Sequence, residues 1–458
     1  MVDYSFNDSI LAIATSITHQ ALSIIRGSGK NCINILSSVF SNPTSLLSSK
    51  GNITHVGWII KNGKKLDQVV VCVYKAPKSF TGEDSVEIIT HGGVYTTLNV
   101  YNLLIEKGFR EAEAGEFSFR SFLNGKINLT QAEAIKMLTS ATNEKEAELA
   151  IGQLENHFFN FIESLKQKLI SLIAMLDVSI EYPEDEIELE QKTFDLNLNS
   201  IIEKIDEALK RWETNKLFIE GAKVVIAGRA NAGKSSLFNA LINEERSIVS
   251  NIPGTTRNYI DTSILFKGLP IKLYDTAGLR HTKNKIEKEG LKQTQKIVDI
   301  ASLVLYLIDN SKIIDEEDIS FLKSLKQRYI IVLTKEDLAP SNNNYNILKN
   351  ALINTENIIN ISCKTKHGIE NLKKNVYSLL IKCESEDYTK NTIISLRQKE
   401  MLIKTKKHLS TIKEINLCYM DLIMQEATNA LEVLGKITGE VTSQDILNEI
   451  FSSFCVGK

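Results

Sequence analysis

GRANAGKSS, residues 228–236, fits the spacing G-x-x-x-x-G-K-S. It follows the apolar run KVVIAG, which ends on Gly228, and runs into the helix-like SLFNALI. Strand, glycine loop and helix therefore stand in the order that a phosphate cradle requires. In such a cradle, backbone N–H groups of the loop and of the first helical turn surround an anion, here those of Ala232, Gly233 and Ser236. Lys234 reaches the outer phosphates and the Ser235 hydroxyl ligates Mg2+.

Working outward, the runs KVVIAG, KLYDTAG, SLVLYLID, YIIVLTK and IINISCK alternate with helical patterns from about 220 to 383. Short apolar runs separated by helices predict buried parallel strands in a doubly wound α/β domain. PGTTR (253–257) supplies Thr255 and Thr256, the latter toward Mg2+ and the γ-phosphate; DTAG (275–278) supplies Asp275 to the metal shell and the Gly278 N–H to the γ-phosphate. TKED (334–337) brings Thr334, Lys335 and Asp337, and SCK (362–364) adds the backbone N–H groups of Ser362 and Cys363. A carboxylate such as Asp337 accepts from guanine N1–H and the 2-amino group, a pattern that adenine lacks, and sites of this kind discriminate by about 10⁴-fold. Together these motifs imply binding and hydrolysis of GTP.

Two positions depart from the usual motif. Thr334 stands where Asn is usual, which changes one side-chain bond at the base pocket at a cost of about 1 kcal/mol. Leu279 occupies the place of a water-orienting glutamine, and an apolar side chain cannot do that work. Asn231 has two readings, a ligand for a monovalent cation that supplies the missing positive charge, or a turn residue of the loop.

The remaining composition bounds the rest. A chain of 458 residues with 43% hydrophobic and 24% charged residues has material for several cores. The net charge of −2 leaves no global field for nucleic acid, so RNA contact needs a local patch. The start, MVDYSFNDSI, lacks a secretory pattern and no apolar run is long enough to span a bilayer, which implies a cytoplasmic protein without membrane contact. Six cysteines without a C-x-x-C pair argue against a zinc site or disulfide framework, and five of them are expected in cores.

Residues 1–118 mix strand-like runs with a helix over YTTLNVYNLLIEKG, and KNGK at 61–64 predicts a hairpin turn. Residues 119–216 read as helical, with Thr130 and Glu133 as a capping box and EYPEDEIELE (181–190) as a solvated turn. The α/β domain, 217–383, then reads as an insertion, and the helical pattern resumes over 384–458.

SFTGEDSVEIITHGG, GEFSFRSFLNGKINLTQAEAI, GRANAGKSSLFNALI, PGTTR, DTAGLR and the final FSSFCVGK stand in an order that resembles the MnmE (TrmE) family of tRNA-modification GTPases over essentially the whole chain. The resemblance implies an N-terminal α+β domain that binds 5-formyl- or 5,10-methylene-tetrahydrofolate and forms a homodimer, a helical domain, and an inserted Ras-like P-loop G domain. It also implies a heterotetramer with the FAD protein MnmG that adds a carboxymethylaminomethyl-type group to C5 of the wobble uridine of tRNA. Carried over by position, the folate contacts fall on Arg26, Glu87, Lys126 and Lys458. The K+ ligands fall on Asn231, Ser250, Ile252 and Thr255, and the water-orienting glutamate on Glu287. Here GTTRD becomes GTTRN, with Asn258.

A ribosome-assembly GTPase acting as a binding switch is the alternative, with RQKEMLIKTKKH (397–408) as either an RNA contact or a solvated helix face. Near the end, Ile446, Leu447, Ile450, Phe451 and Phe454 share one helical face, with Thr442 or Ser443 as its cap. That helix would hold Cys455 where it stops. The thiol is then either a participant in the modification chemistry or a small structural hydrophobe.

Overall fold

The computed structural model describes residues 8–181, 191–244, 262–275, 297–338, 344–351, 357–381, 391–440 and 444–457. The chain divides into two compact units. One holds residues 1–136, 158–202 and 400–458; the other holds 137–157 and 203–399.

The first unit is built on strands β1 (Ile10–Ile13), β2 (Leu22–Ser28), β3 (Ile53–Lys61), β4 (Lys64–Tyr74), β5 (Ser85–His91) and β6 (Arg110–Glu111). They lie in the order β3-β4-β5-β2-β1-β6, antiparallel except for the β1–β6 pair. The hairpin at KNGK forms as read: Asn62 and Gly63 have φ of 50° and 77°, and Lys61 pairs with Lys64. Both central residues are left-handed, the conformation that matches strand twist in a two-residue turn. Val71, Val73, Val86 and Ile88 turn one sheet face onto Val100, Leu103 and Leu104 of the helix Val94–Glu106. β5, which sits between β4 and β2, was not recognised from the sequence, because VEIIT lacks the clean alternation that marks a half-buried strand.

The helices of this unit follow their apolar spacing. Leu165, Leu169, Leu172 and Leu176 are buried along His157–Glu181. The capping box expected at Thr130 and Glu133 lies two residues earlier. Asn128 Oδ1 accepts from Gln131 N at 2.9 Å, and Gln131 Oε1 accepts from Asn128 N at 3.1 Å. Thr130 is already inside the first turn of Leu129–Ser140, its hydroxyl donating to Asn128 Oδ1 at 2.7 Å.

The second unit carries β7 (Ala222–Gly228), β8 (Thr262–Phe266), β9 (Leu269–Asp275), β10 (Leu303–Asp309), β11 (Tyr329–Thr334) and β12 (Ile358–Asn360). Their order is β12-β11-β10-β7-β9-β8, parallel except for the β8–β9 hairpin. Leu237, Leu241, Leu372 and Val376 cover one face, and Val298, Leu322 and Leu348 the other. Every residue of β10 is buried, as a strand covered on both faces requires. β7 lies between β9 and β10, so the chain reverses direction across the sheet there and opens a crevice at the carboxyl ends of the strands.

The cysteines correct one expectation. Of those described, Cys32 is buried, Cys72 and Cys363 are half-buried, and Cys418 and Cys455 are exposed. Cys418 follows Asn416 in a short 3-10 turn rather than in a core. Among the described residues no helix is long and apolar enough to cross a membrane. EYPEDEIELE beyond Glu181, together with Cys383, Thr442 and Ser443, lies outside the described residues.

Candidate functional site

At the end of β7 the chain turns through Gly228 (φ 141°), where a side chain would strike Leu307 O at 2.4 Å. Asn231 (φ 63°) and Gly233 (φ 92°) then adopt left-handed conformations, and the helix Lys234–Glu244 begins. Ala232 is buried beneath the loop, while Ser235 and Ser236 are exposed at the helix start. Lys234 donates to Gly228 O at 2.9 Å and Arg229 O at 2.5 Å, so its ammonium lies over the loop. Asn231 combines a left-handed backbone with an exposed side chain, which is compatible with both readings given for it.

Ser235 Oγ donates to Asp275 Oδ2 at 3.3 Å, which joins the loop to the end of β9. A hydroxyl beside a carboxylate at the mouth of a phosphate loop is a hard-oxygen pair that fits Mg2+. Of the other sequence-predicted residues, Ser250, Ile252, Thr255, Thr256, Asn258, Gly278, Leu279, Glu287 and Lys458 lie outside the described residues.

The base motif leaves the end of β11. Thr334 is buried and its hydroxyl donates toward Ala232 O at 2.9 Å, with Ile308 O at 3.2 Å as second acceptor. Threonine therefore ties the motif to the phosphate loop. Lys335 (φ 61°) sends its ammonium to Asp309 Oδ2 at 2.6 Å. Burial raises the Asp309 carboxyl, but hydrogen bonds from Lys335 and Ser311 outweigh it and hold the group below the usual carboxylate range. Asp337 is exposed, and the Ser362 hydroxyl, donating to its Oδ1 at 2.7 Å, keeps its carboxyl low as well.

Within SCK, the backbone N–H of Ser362 is already engaged. The Ser362 N–H donates to His367 O at 3.0 Å, closing the tight turn before Gly368, so the contribution of Ser362 comes from its side chain, which aims Asp337. Cys363 is half-buried against the core, and burial followed by the Asp337 charge pushes its thiol up.

Sequence reasoning missed what holds the loop from outside. Arg229 meets Asp315 Oδ2 at 2.7 Å, Glu317 Oε2 at 2.5 Å and Asp318 Oδ1 at 3.3 Å at the start of the helix Glu316–Ser324. The available signal was the acidic run DEED, a capping box followed by an apolar helix.

The first unit contains a cavity of about 220 Å³. Arg26, Tyr74, Thr81, Ser85, Glu87 and Phe117 line it. Arg26 and Glu87 pair across β2 and β5, with Nη2 to Oε1 at 2.7 Å and Nε to Oε1 at 3.0 Å. The Arg26 guanidinium also lies 5.9 Å from the centre of the Phe117 ring. The Tyr74 hydroxyl donates to Glu87 Oε2 at 3.4 Å; burial and then the Glu87 charge push the phenol up. Lys126 is not one of the lining residues: it is exposed, and its ammonium donates to Pro77 O at 3.0 Å.

The end of the chain docks against the same sheet. In the helix Gln444–Ser452 and just beyond, Leu447, Phe451 and Phe454 are buried with Phe119, whose ring meets Phe451 edge-on at 5.2 Å, while Ile446 faces out. Val456 bridges Ala114, Cys455 O accepts from Gly115 N at 3.4 Å, and Gly457 O accepts from Arg26 Nη1 at 3.1 Å. The Cys455 side chain is thus exposed on a docked backbone.

Beneath the cavity lies a buried charge network that the sequence did not announce. Arg120, 1% exposed, donates to Glu116 Oε1 at 2.9 Å, Asp8 Oδ1 at 2.7 Å and both Glu83 oxygens at 3.2 Å. Arg110 shares Asp8 and Glu116, each at 2.5 Å.

These features accompany a specific similarity. The family model for the MnmE helical domain matches residues 129–455, and that for the GTP-binding protein TrmE N-terminus matches residues 9–126. The chain belongs to the MnmE family. It is 45% identical over 471 residues to the tRNA modification GTPase MnmE of Treponema denticola, covering 99% of both chains. It is 39% identical over 460 residues to the protein of that name from Borreliella afzelii, covering 99% of this chain and 98% of that one. The chain is thus a GTPase of the MnmE family with an N-terminal α+β domain, a helical domain and a P-loop α/β domain.

Proposed function

We propose that this MnmE-family GTPase drives tRNA modification, adding a carboxymethylaminomethyl-type group to C5 of the wobble uridine with a tetrahydrofolate one-carbon unit. The observation that carries the nucleotide half is the Thr334–Ala232 hydrogen bond, which ties the base reader to the phosphate loop. Loop N–H groups and Lys234 hold the phosphates, and Asp337 accepts from guanine N1–H and the 2-amino group. Ser235 and Thr256 would hold Mg2+, which would supply positive charge to the phosphates. Asn231, Ser250, Ile252 and Thr255 hold K+, and Glu287 orients the attacking water.

In the first unit, 5-formyl- or 5,10-methylene-tetrahydrofolate occupies the cavity at Arg26 and Glu87, with Lys126 and Lys458 toward its anionic tail. The cavity's guanidinium–carboxylate pair supports this reading, since a pterin edge is read by a carboxylate and a glutamate tail by cations. We divide the chain into 1–118 for folate and dimerisation, 119–216 and 384–458 for the helical domain, and 217–383 for the inserted G domain. The protein works in the cytoplasm as a homodimer, in a heterotetramer with the FAD protein MnmG.

Cys455 takes part in the modification chemistry through its sulfur. Nucleoside analysis of tRNA from cells lacking the gene, complemented with wild type or Cys455→Ser, tests the whole reading. Loss of the modified wobble uridine in the null and in the serine variant, with GTP hydrolysis intact in the latter, is expected. Unmodified positions in neither strain would sink the modification role, and full modification by Cys455→Ser would remove the thiol from it.

A further inference from the structure

The wall of the first-unit cavity contains two hydroxyls whose orientation is set from behind. Ser28, fully buried, sits 2.8 Å from Glu83 Oε2, 2.7 Å from Thr81 Oγ1 and 3.2 Å from Ser85 Oγ. Glu83 is held by the Arg120 guanidinium through both oxygens, and a carboxylate is an acceptor only. The single Ser28 proton is therefore committed to Glu83.

At 2.7 Å, the contact between Ser28 and Thr81 needs one proton, and only Thr81 has one to give. Ser85 has three acceptors in reach, Ser28 Oγ at 3.2 Å, Thr81 Oγ1 at 3.2 Å and Glu83 O at 3.3 Å. Each of them lies within the same cluster, so the Ser85 proton also turns inward. Thr81 Oγ1 already accepts from the Glu83 N–H at 3.3 Å, so what the two hydroxyls offer the cavity is at most one lone pair of Thr81 and those of Ser85, beside the Glu87 carboxylate, which is itself an acceptor.

We propose that the Arg120–Glu83–Ser28 relay is a specificity device: it fixes Thr81 and Ser85 as acceptors, so that the cavity selects a ligand presenting N–H donors to this wall. This rests on the assignment of the cavity to a folate. A reduced pterin carries a hydrogen on N8, whereas the oxidised ring has a bare lone pair there. An acceptor facing that lone pair is left unsatisfied, and such mismatches are what make polar sites selective. The relay residues position the reading groups, and Ser28 and Glu83 act through them.

The test is titration of the full-length protein with 5-formyltetrahydrofolate and with folic acid, comparing the ratio of affinities between wild type and Ser28→Ala. Removing the Ser28 oxygen frees the Thr81 proton to turn toward a ring nitrogen. The preference for the reduced ligand should then fall about tenfold, while both ligands still bind. Ser85→Ala, at a less buried position, is the second variant should Ser28→Ala fail to fold, and a smaller fall is expected there. A ratio within about twofold of wild type in the folded variants, with both ligands bound, overturns the relay and leaves the folate assignment standing. Binding of neither ligand by wild type overturns the folate assignment itself, and the relay's role with it.

Discussion

In the second unit, the groups proposed to face phosphates come from one short run, Gly228–Ser236, and most of them are backbone N–H groups. In the first unit, the groups that line the cavity come from β2, β4, β5, the loop between β4 and β5 that carries Thr81, and the helix Glu116–Leu123, and those described above act through their side chains. The first site is a local conformation that glycines and one left-handed asparagine make possible. The second exists only after distant strands have paired, as Arg26 and Glu87 do across β2 and β5. A site made from backbone tolerates changes in its neighbours, whereas a site made from side chains depends on the layer behind them.

The largest effect that would sharpen this contrast is at Asp337, the side chain proposed to read the base. Asp337→Asn exchanges an acceptor for a donor, so GTP affinity should fall by up to about 10⁴-fold while xanthine nucleotides gain. Equal GTP binding in the variant would show that the base is read elsewhere. Arg120→Met attacks the layer behind the cavity. It leaves Glu116 and Glu83 without their buried cation, and a loss of about 3–5 kcal/mol is expected in the denaturant transition of the first unit. A variant as stable as wild type would break the claim that the cavity depends on that network.

The smallest effect concerns pH. The Ser362 hydroxyl favours the ionised Asp337 carboxylate, so its pKa in the folded protein lies below the ordinary value, and the base reader stays ionised as pH falls through the usual carboxylate range. Ser362→Ala removes that hydrogen bond and lets the pKa rise. Guanine affinity, followed from neutral pH downward with a fluorescent GDP, should then be lost at a higher pH in the variant. Coincident pH profiles would show that Ser362 does not tune the base reader.

The same contrast explains what could be read in the chain. The phosphate loop, Asp275, Thr334 and Asp337 follow from spacing, because each lies at or just beyond the end of a strand and the strands are contiguous apolar runs. Arg26 and Glu87 were reached only through family resemblance, since a lone arginine and a lone glutamate in strands carry no local signal. Arg120, Glu83 and Ser28 were not reached at all: a buried arginine inside EFSFRSFL reads as the polar side of an amphipathic helix until Asp8 and Glu83 are seen around it. The capping box slipped from Asn128–Gln131 to Thr130–Glu133 for a milder reason. Both pairs satisfy the pattern, and only the first places its cap outside the helix.

The hydrogen bond from Arg26 to Gly457 O also bears on how the protein is made. These residues are 431 positions apart in the chain, so at about 5–20 residues per second Arg26 leaves the ribosome roughly 20–90 s before its partner. From the emergence of Phe119 until that of Phe451 and Phe454, the surface of Phe119 that they will cover is bare on the nascent chain. Folding of the first unit is thereby tied to synthesis of the segment through Gly457, and a chain stalled or released before it would present an aromatic patch suited to chaperone capture.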